Sequence, residues 1–136
     1  MPSPSEHLTA STLELTDKNF EETLAKGGIL FIDFWAQWCG PCRAFAPIFE
    51  QAAKKHADIT FAKVNTDEQQ GLAQAFEIQA IPTLAVFRDG VLVGQNAGSL
   101  PGTALEDAIS QVRGLDMKKI KEEMATRQPK KAEIEA

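Results

Sequence analysis

The order of hydrophobic patterns along the chain predicts an α/β protein, with a central mixed β-sheet flanked by helices on both faces. Three observations carry this reading. Strand-like and helix-like segments alternate through the first half of the chain. Two strand-like segments joined by a tight turn then precede a last helix. The run Ile29 to Trp35 is almost continuously apolar, as expected of a strand covered on both sides.

Each element has its own signal. Met1 to His7 is rich in Pro and Ser and is expected to be a flexible segment ahead of a domain spanning residues 8–114. Thr12-Leu13-Glu14-Leu15 alternates like a short strand. Thr16 is placed to N-cap a helix carrying Phe20 and Leu24 one turn apart, and Gly27-Gly28 is placed to end it. After the strand Ile29–Trp35, a helix is expected from Pro41 to about His56, with Phe45, Ile48, Phe49, Ala52 and Ala53 facing the core. Pro41 falls in the tolerated first turn, whereas Pro47 lies inside and should kink the helix. Thr60 to Asn65 reads as a strand, and Leu72 with Phe76 marks a short helix.

Thr83–Phe87 and Val91–Ala97, joined through Asp89-Gly90, read as a hairpin. Leu105, Ala108, Ile109 and Val112 define a final helix closed by Gly114. Residues 115–136 form a charged extension, partly helical or disordered, with Met117, Ile120 and Met124 at helical spacing. This stripe belongs either to a solvated helix or to an amphipathic segment that docks on a partner or on the domain.

Composition narrows the function. With 136 residues, 43% of them hydrophobic and 24% charged, the chain has material for one domain with a sizeable core. A formal charge of -5 disfavours nucleic-acid binding through a general positive field. Met1 to Thr12 holds neither Lys nor Arg nor an apolar stretch, so a secretory signal is not expected and a cytoplasmic location is the default. The run beginning at Ile29 is too short to span a bilayer, so no membrane role is expected.

The two cysteines, Cys39 and Cys42, stand three positions apart. A stabilising disulfide would normally close a much longer loop. So close a pair in a reducing compartment reads as catalytic or metal-binding. Zinc usually takes four ligands, and the only further candidates, His7 and His56, lie at no finger-like spacing; no metal is expected.

Trp38-Cys39-Gly40-Pro41-Cys42 sits where the strand gives way to the helix. Side chains three apart on a helix lie about 5–6 Å apart, so a modest adjustment closes them into a disulfide that can reopen. Cys39 falls at the helix mouth, where unpaired N–H groups and the positive dipole end favour a thiolate, the species that attacks disulfides. Cys42, one turn inside, is expected to be less accessible and suited to resolving a mixed disulfide. Asp33 interrupts an otherwise apolar strand, and burial should raise its pKa into a range useful for moving protons.

The stretch Ile32-Asp33-Phe34-Trp35-Ala36-Gln37-Trp38-Cys39-Gly40-Pro41-Cys42, together with Ala80-Ile81-Pro82-Thr83, resembles the two signatures of the thioredoxin family. The resemblance covers about Leu13 to Val112. It implies the thioredoxin fold and protein-disulfide reduction by dithiol exchange, with Cys39 as nucleophile and Cys42 as resolving thiol. By the same resemblance, Asp33 helps to deprotonate Cys42, Lys63 approaches Asp33, and the bond before Pro82 is cis. Ile81 would then offer its backbone to an extended substrate segment, with Trp38 and Gly98 lining the same groove and Trp35 packed nearby. Two departures are visible. Ala80 stands where the family often has glycine, implying a slightly narrower groove, and the charged extension passes the usual end of the domain.

The chain has no G-x-G-x-x-G sequence to bind a dinucleotide and is expected to carry no cofactor. The resemblance implies recycling by a separate NADPH-dependent flavoprotein, thioredoxin reductase, with disulfide-containing proteins as substrates and a monomeric chain. Two other readings stay open: an oxidase or isomerase on the same fold, and a binding module whose redox pair is a switch. Gly40-Pro41 resembles the reducing members.

Overall fold

The structure is a computed structural model that describes residues 11–125. The expected flexible segment at residues 1–7 and the end of the charged extension lie outside the described residues. The elements, in chain order, are β1 (Leu13–Glu14), α1 (Phe20–Ala25), β2 (Ile29–Trp35), α2 (Gly40–Lys55), β3 (Thr60–Asn65), α3 (Gln70–Ala75), β4 (Thr83–Arg88), β5 (Val91–Ala97) and α4 (Gly102–Arg113). A further helical stretch, α5, occupies residues 117–125.

The five strands form one sheet in the order β1-β3-β2-β4-β5. β3 pairs parallel with both β1 and β2, whereas β4 pairs antiparallel with both β2 and β5. The mixed sheet follows from the connections. A parallel neighbour needs a crossover, which α2 supplies between β2 and β3, and the two-residue Asp89-Gly90 turn can only reverse the chain. Both turn residues have positive φ, as the tight hairpin turn that matches strand twist requires.

Side-chain alternation along β2 assigns the two layers. Phe31 faces a core shared with Phe45 and Phe49 of α2 and Leu105 and Ile109 of α4. Leu30, Ile32 and Phe34 face the other side, against Phe20 and Leu24 from α1, Leu72 from α3 and Phe76 just after it. Because residues two apart share a face, Asp33 lies on the side of Phe31, under α2. Full burial of the four rings Phe31, Phe45, Phe49 and Phe61 makes this the heavier of the two layers, each ring contributing about 1.5–3 kcal/mol of transfer free energy.

The first helix differs from expectation. It begins at Phe20 after Asn19, and Thr16 does not cap it. Asn19 explains the delay: its Oδ1 accepts the Thr16 N–H at 2.7 Å, and its Nδ2 donates to the Glu14 carbonyl at 3.0 Å. Thr16 Oγ1 in turn accepts the Lys18 N–H at 3.2 Å. These local bonds satisfy the backbone in a turn and so compete with an earlier helix start. Pro47 lies inside α2 without terminating it.

The far end of α2 is fastened to α4. Arg113 forks onto the two carboxylate oxygens of Asp58 at 2.7 and 3.0 Å. His56 bridges Glu106 through Nε2 at 2.8 Å and Arg113 through Nδ1 at 3.1 Å. A guanidinium can only donate, so Nδ1 accepts and the proton sits on Nε2. With this anchor and the buried face of α2, the helix end that carries the cysteines is held against the sheet.

Candidate active site

The site is built where β2 ends. The Trp35 carbonyl accepts the Thr66 N–H at 2.9 Å and the Thr66 hydroxyl at 3.1 Å, which pins the exit of β2 to the exit of β3. Ala36 closes the short turn by accepting the Cys39 N–H at 3.2 Å, and α2 starts at once with Cys39 as N-cap. Gly40 opens the helix and Pro41 stands in its first turn, where no intrahelical N–H bond is lost.

Cys39 and Cys42 are joined as a disulfide with their Cα atoms 5.2 Å apart. Cys39 Sγ accepts the Cys42 N–H at 3.2 Å, so the sulfur occupies the position of a capping oxygen. A thiolate at this atom would keep that donor and gain from the positive helix end. One expectation is corrected here. The two cysteines do not differ in exposure, at 4% and 3%, because in the disulfide each sulfur covers the other and both pack with Ala36, Trp35 and Ile81. What separates them is position: Cys39 caps the helix beside the loop before β4, and Cys42 sits inside it.

Asp33 is wholly buried, and neither carboxylate oxygen has a hydrogen-bond partner among the described residues. Burial therefore pushes its carboxyl up from an ordinary 3.8 to about 7, with the positive charge of Lys63 opposing the rise. Asp33 and Lys63 stand opposite each other in the β2–β3 register. The Lys63 ammonium lies over the Trp35 ring, 4.9 Å from its centroid, so its charge is held by an aromatic face and acts on Asp33 through space.

The groove residues also converge. The Ile81–Pro82 bond is cis, and Cys39 Sγ lies 3.7 Å from the Ile81 carbonyl oxygen. Gly98, at φ +105, donates its N–H to the Pro82 carbonyl at 2.8 Å, a backbone conformation that side-chain-bearing residues rarely adopt. Trp38 is 68% exposed beside the disulfide, and Trp35 is half-buried against it.

Sequence reasoning missed Asp67. Its carboxylate accepts the Trp38 indole N–H at 3.0 and 3.3 Å, fixing the ring at the rim. The two residues are 29 apart in sequence. The contact follows from strand pairing: Trp35 and Asn65 are register partners, which brings the segments just beyond the two strand ends together. Arg43, also missed, donates to the Gln37 carbonyl at 2.8 Å and braces the turn.

A concavity of about 500 Å³ between α2 and α4, lined by Ile48, Gln51, Lys55, Thr103 and Glu106, includes neither cysteine.

A buried acid on the helix-facing side of the strand, a redox pair at the helix mouth and a cis-proline loop against the first sulfur now stand together. The thioredoxin family model matches residues 11–111. The chain belongs to the thioredoxin family. It is 48% identical over 118 residues to a protein of Streptomyces coelicolor provisionally named thioredoxin 2, covering 87% of this chain and 88% of the relative. It is 43% identical over 103 residues to the thioredoxin of Alicyclobacillus acidocaldarius, covering 75% of this chain and 98% of that one. Among solved structures it is similar to the oxidised form of mitochondrial thioredoxin 3 from Saccharomyces cerevisiae, with a TM-score of 0.69 and 34% identity over 74% of this chain and 95% of that chain.

Membership makes the chain a thiol–disulfide oxidoreductase and implies disulfide substrates and a reductase partner in general. The expected thioredoxin fold is the one observed, a five-stranded mixed sheet between two layers of helices. No helix among the described residues is long and apolar enough to cross a membrane.

Proposed function

We propose that the chain is a general protein-disulfide reductase in which Cys39 attacks and Cys42 resolves. The Cys39 thiolate attacks one sulfur of a substrate disulfide; that S–S bond breaks, and the other substrate sulfur leaves as a thiolate that takes a proton from water. Cys42 then gives its proton to the Asp33 carboxylate and attacks Cys39 Sγ. The mixed disulfide breaks, the second substrate sulfur leaves as a thiolate that takes the proton held by Asp33, and Cys39–Cys42 closes. The substrate gains two electrons and two protons; the chain supplies both electrons and the Cys42 proton, and water supplies the other proton.

The observation that carries this reading is the pairing of a capping sulfur with a buried acid. Cys39 Sγ already accepts a helix N–H, and Asp33, on the α2 side of β2, is raised to about 7. A base with that affinity can take a thiol proton near neutrality and return it. The positive charge of Lys63 opposes this rise. Ile81, Pro82 and Gly98 supply the backbone surface for an extended substrate segment, with Trp38 as its apolar wall and Gly40-Pro41 setting the turn between the cysteines.

The oxidised pair would be reduced by an NADPH-dependent flavoprotein, thioredoxin reductase, and the chain would work as a cytoplasmic monomer without a cofactor of its own. The test is NADPH consumption with a thioredoxin reductase and insulin as substrate. Sustained turnover that Cys39→Ser abolishes is the expected result. Absence of turnover, even after chemical reduction of the dithiol, refutes the general-reductase reading.

A further inference from the structure

The charged extension is not explained by the dithiol chemistry, yet its described part is built into the domain. Arg88 fixes its start there. Arg88, the last residue of β4, donates through Nη1 to the carbonyls of Val112 at 2.7 Å, Arg113 at 3.1 Å and Leu115 at 3.0 Å. One guanidinium nitrogen thus gathers carbonyls at the exit of α4, which a helix end leaves unsatisfied, and sets the direction in which the chain departs. Asp116 then starts α5: its Oδ1 accepts the Lys119 N–H at 3.1 Å and its carbonyl accepts the Ile120 N–H at 3.1 Å.

The helix that follows is two-faced. Met117, Ile120 and Met124 are half-buried, whereas Lys118, Lys119 and Lys121 are exposed. Ile120 and Met124, with Glu123, line one concavity of about 320 Å³ together with Val91, Leu92 and Val93 of β5.

β5 is an edge strand, the last in the sheet order. Its start carries Leu92, which is 46% exposed, between Val91 and Val93. Such an edge presents backbone donors and acceptors with apolar side chains, the pattern that recruits another strand. The start of β5 also lies at the end of the sheet away from the dithiol. Val91 pairs with Arg88, whereas Ala97 pairs with Thr83, next to Pro82.

We infer that α5 is a brace over the start of β5 that hinders pairing of this edge with a second copy of the chain, and that it does so without taking part in the redox chemistry. The apolar residues Ile120 and Met124 are the part of α5 that shares a concavity with the start of β5.

The experiment is a double variant of the full chain, Ile120→Ser with Met124→Ser, compared with a control, Lys118→Ser with Lys121→Ser, on the exposed face. Insulin reduction by the stripe variant should match the parent, which shows that it folds. Hydrogen exchange of the Val91 to Val93 amides should quicken by about ten-fold or more as two half-buried apolar contacts are lost. Sedimentation velocity should show self-association that rises with concentration in the stripe variant and not in the control. Unchanged exchange at Val91 to Val93 overturns the brace. Faster exchange in a chain that stays monomeric overturns the protection of the edge, and a loss of insulin reduction overturns the separation of α5 from the chemistry.

Discussion

Replacing Asp33 by asparagine should stabilise the folded chain, and by an amount that depends on pH. The carboxyl is wholly buried without a hydrogen-bond partner among the described residues, and its pKa rises from 3.8 to about 7. Below pH 3.8 the acid is protonated whether the chain is folded or unfolded, so it imposes no ionisation penalty. Between 3.8 and about 7 the folded state holds the proton and the unfolded state has released it. The folded state then binds more protons, so stability falls as pH rises through this window and levels off above it. A rise of about three pH units at 1.36 kcal/mol each corresponds to about 4 kcal/mol.

Asparagine fills nearly the same space and cannot ionise. The stability gap between Asp33→Asn and the parent should therefore be small near pH 4 and grow by about 4 kcal/mol toward pH 8. Guanidinium denaturation of the oxidised chain at a series of pH values reads this directly, with the midpoints diverging while the slopes stay equal. A gap of the same size at pH 4 and pH 8 would refute the argument, since it would mean that the acid has the same proton affinity folded and unfolded.

Two further outcomes follow from the same structure. Lys63→Met removes the charge that opposes the rise at Asp33, so the upper end of the pH-dependent window should move above about 7; pH-dependent denaturation of this variant checks it, and a downward move would contradict the assigned cause. Phe49→Ala empties a fully buried ring position between α2 and β3 and should destabilise the chain by about 3–5 kcal/mol, read from denaturant unfolding.

Most of the fold was legible because each element announced itself locally. The unbroken apolar run of β2, the Asp89-Gly90 turn and the spacing of Phe45, Phe49 and Ala52 each depend on residues adjacent in sequence or one turn apart. The start of α1 was misread because Thr16 is a good cap by type, whereas Asn19 out-competed it with bonds to Thr16 and Glu14. Asp33 was legible as a charge in an apolar strand. The equal burial of the two sulfurs was not, because it arises from the disulfide and from Ile81, which lies 42 residues away from Cys39. Asp67 escaped for the same reason: its contact with Trp38 exists only once β2 and β3 are set in register. The apolar stripe of the extension was visible, but its target on β5 needed the Arg88 contacts that turn the chain back onto the sheet.

The division of labour between the two sulfurs is tested most directly by trapping the intermediate. Reduced Cys42→Ser and reduced Cys39→Ser are each mixed with a disulfide-containing protein, and the products are weighed by intact-mass spectrometry. With Cys39 as nucleophile and Cys42 as resolving thiol, Cys42→Ser should accumulate a stable mixed disulfide through Cys39, and Cys39→Ser should form little. Accumulation through Cys42 in the Cys39→Ser chain, with none in Cys42→Ser, would contradict the assignment.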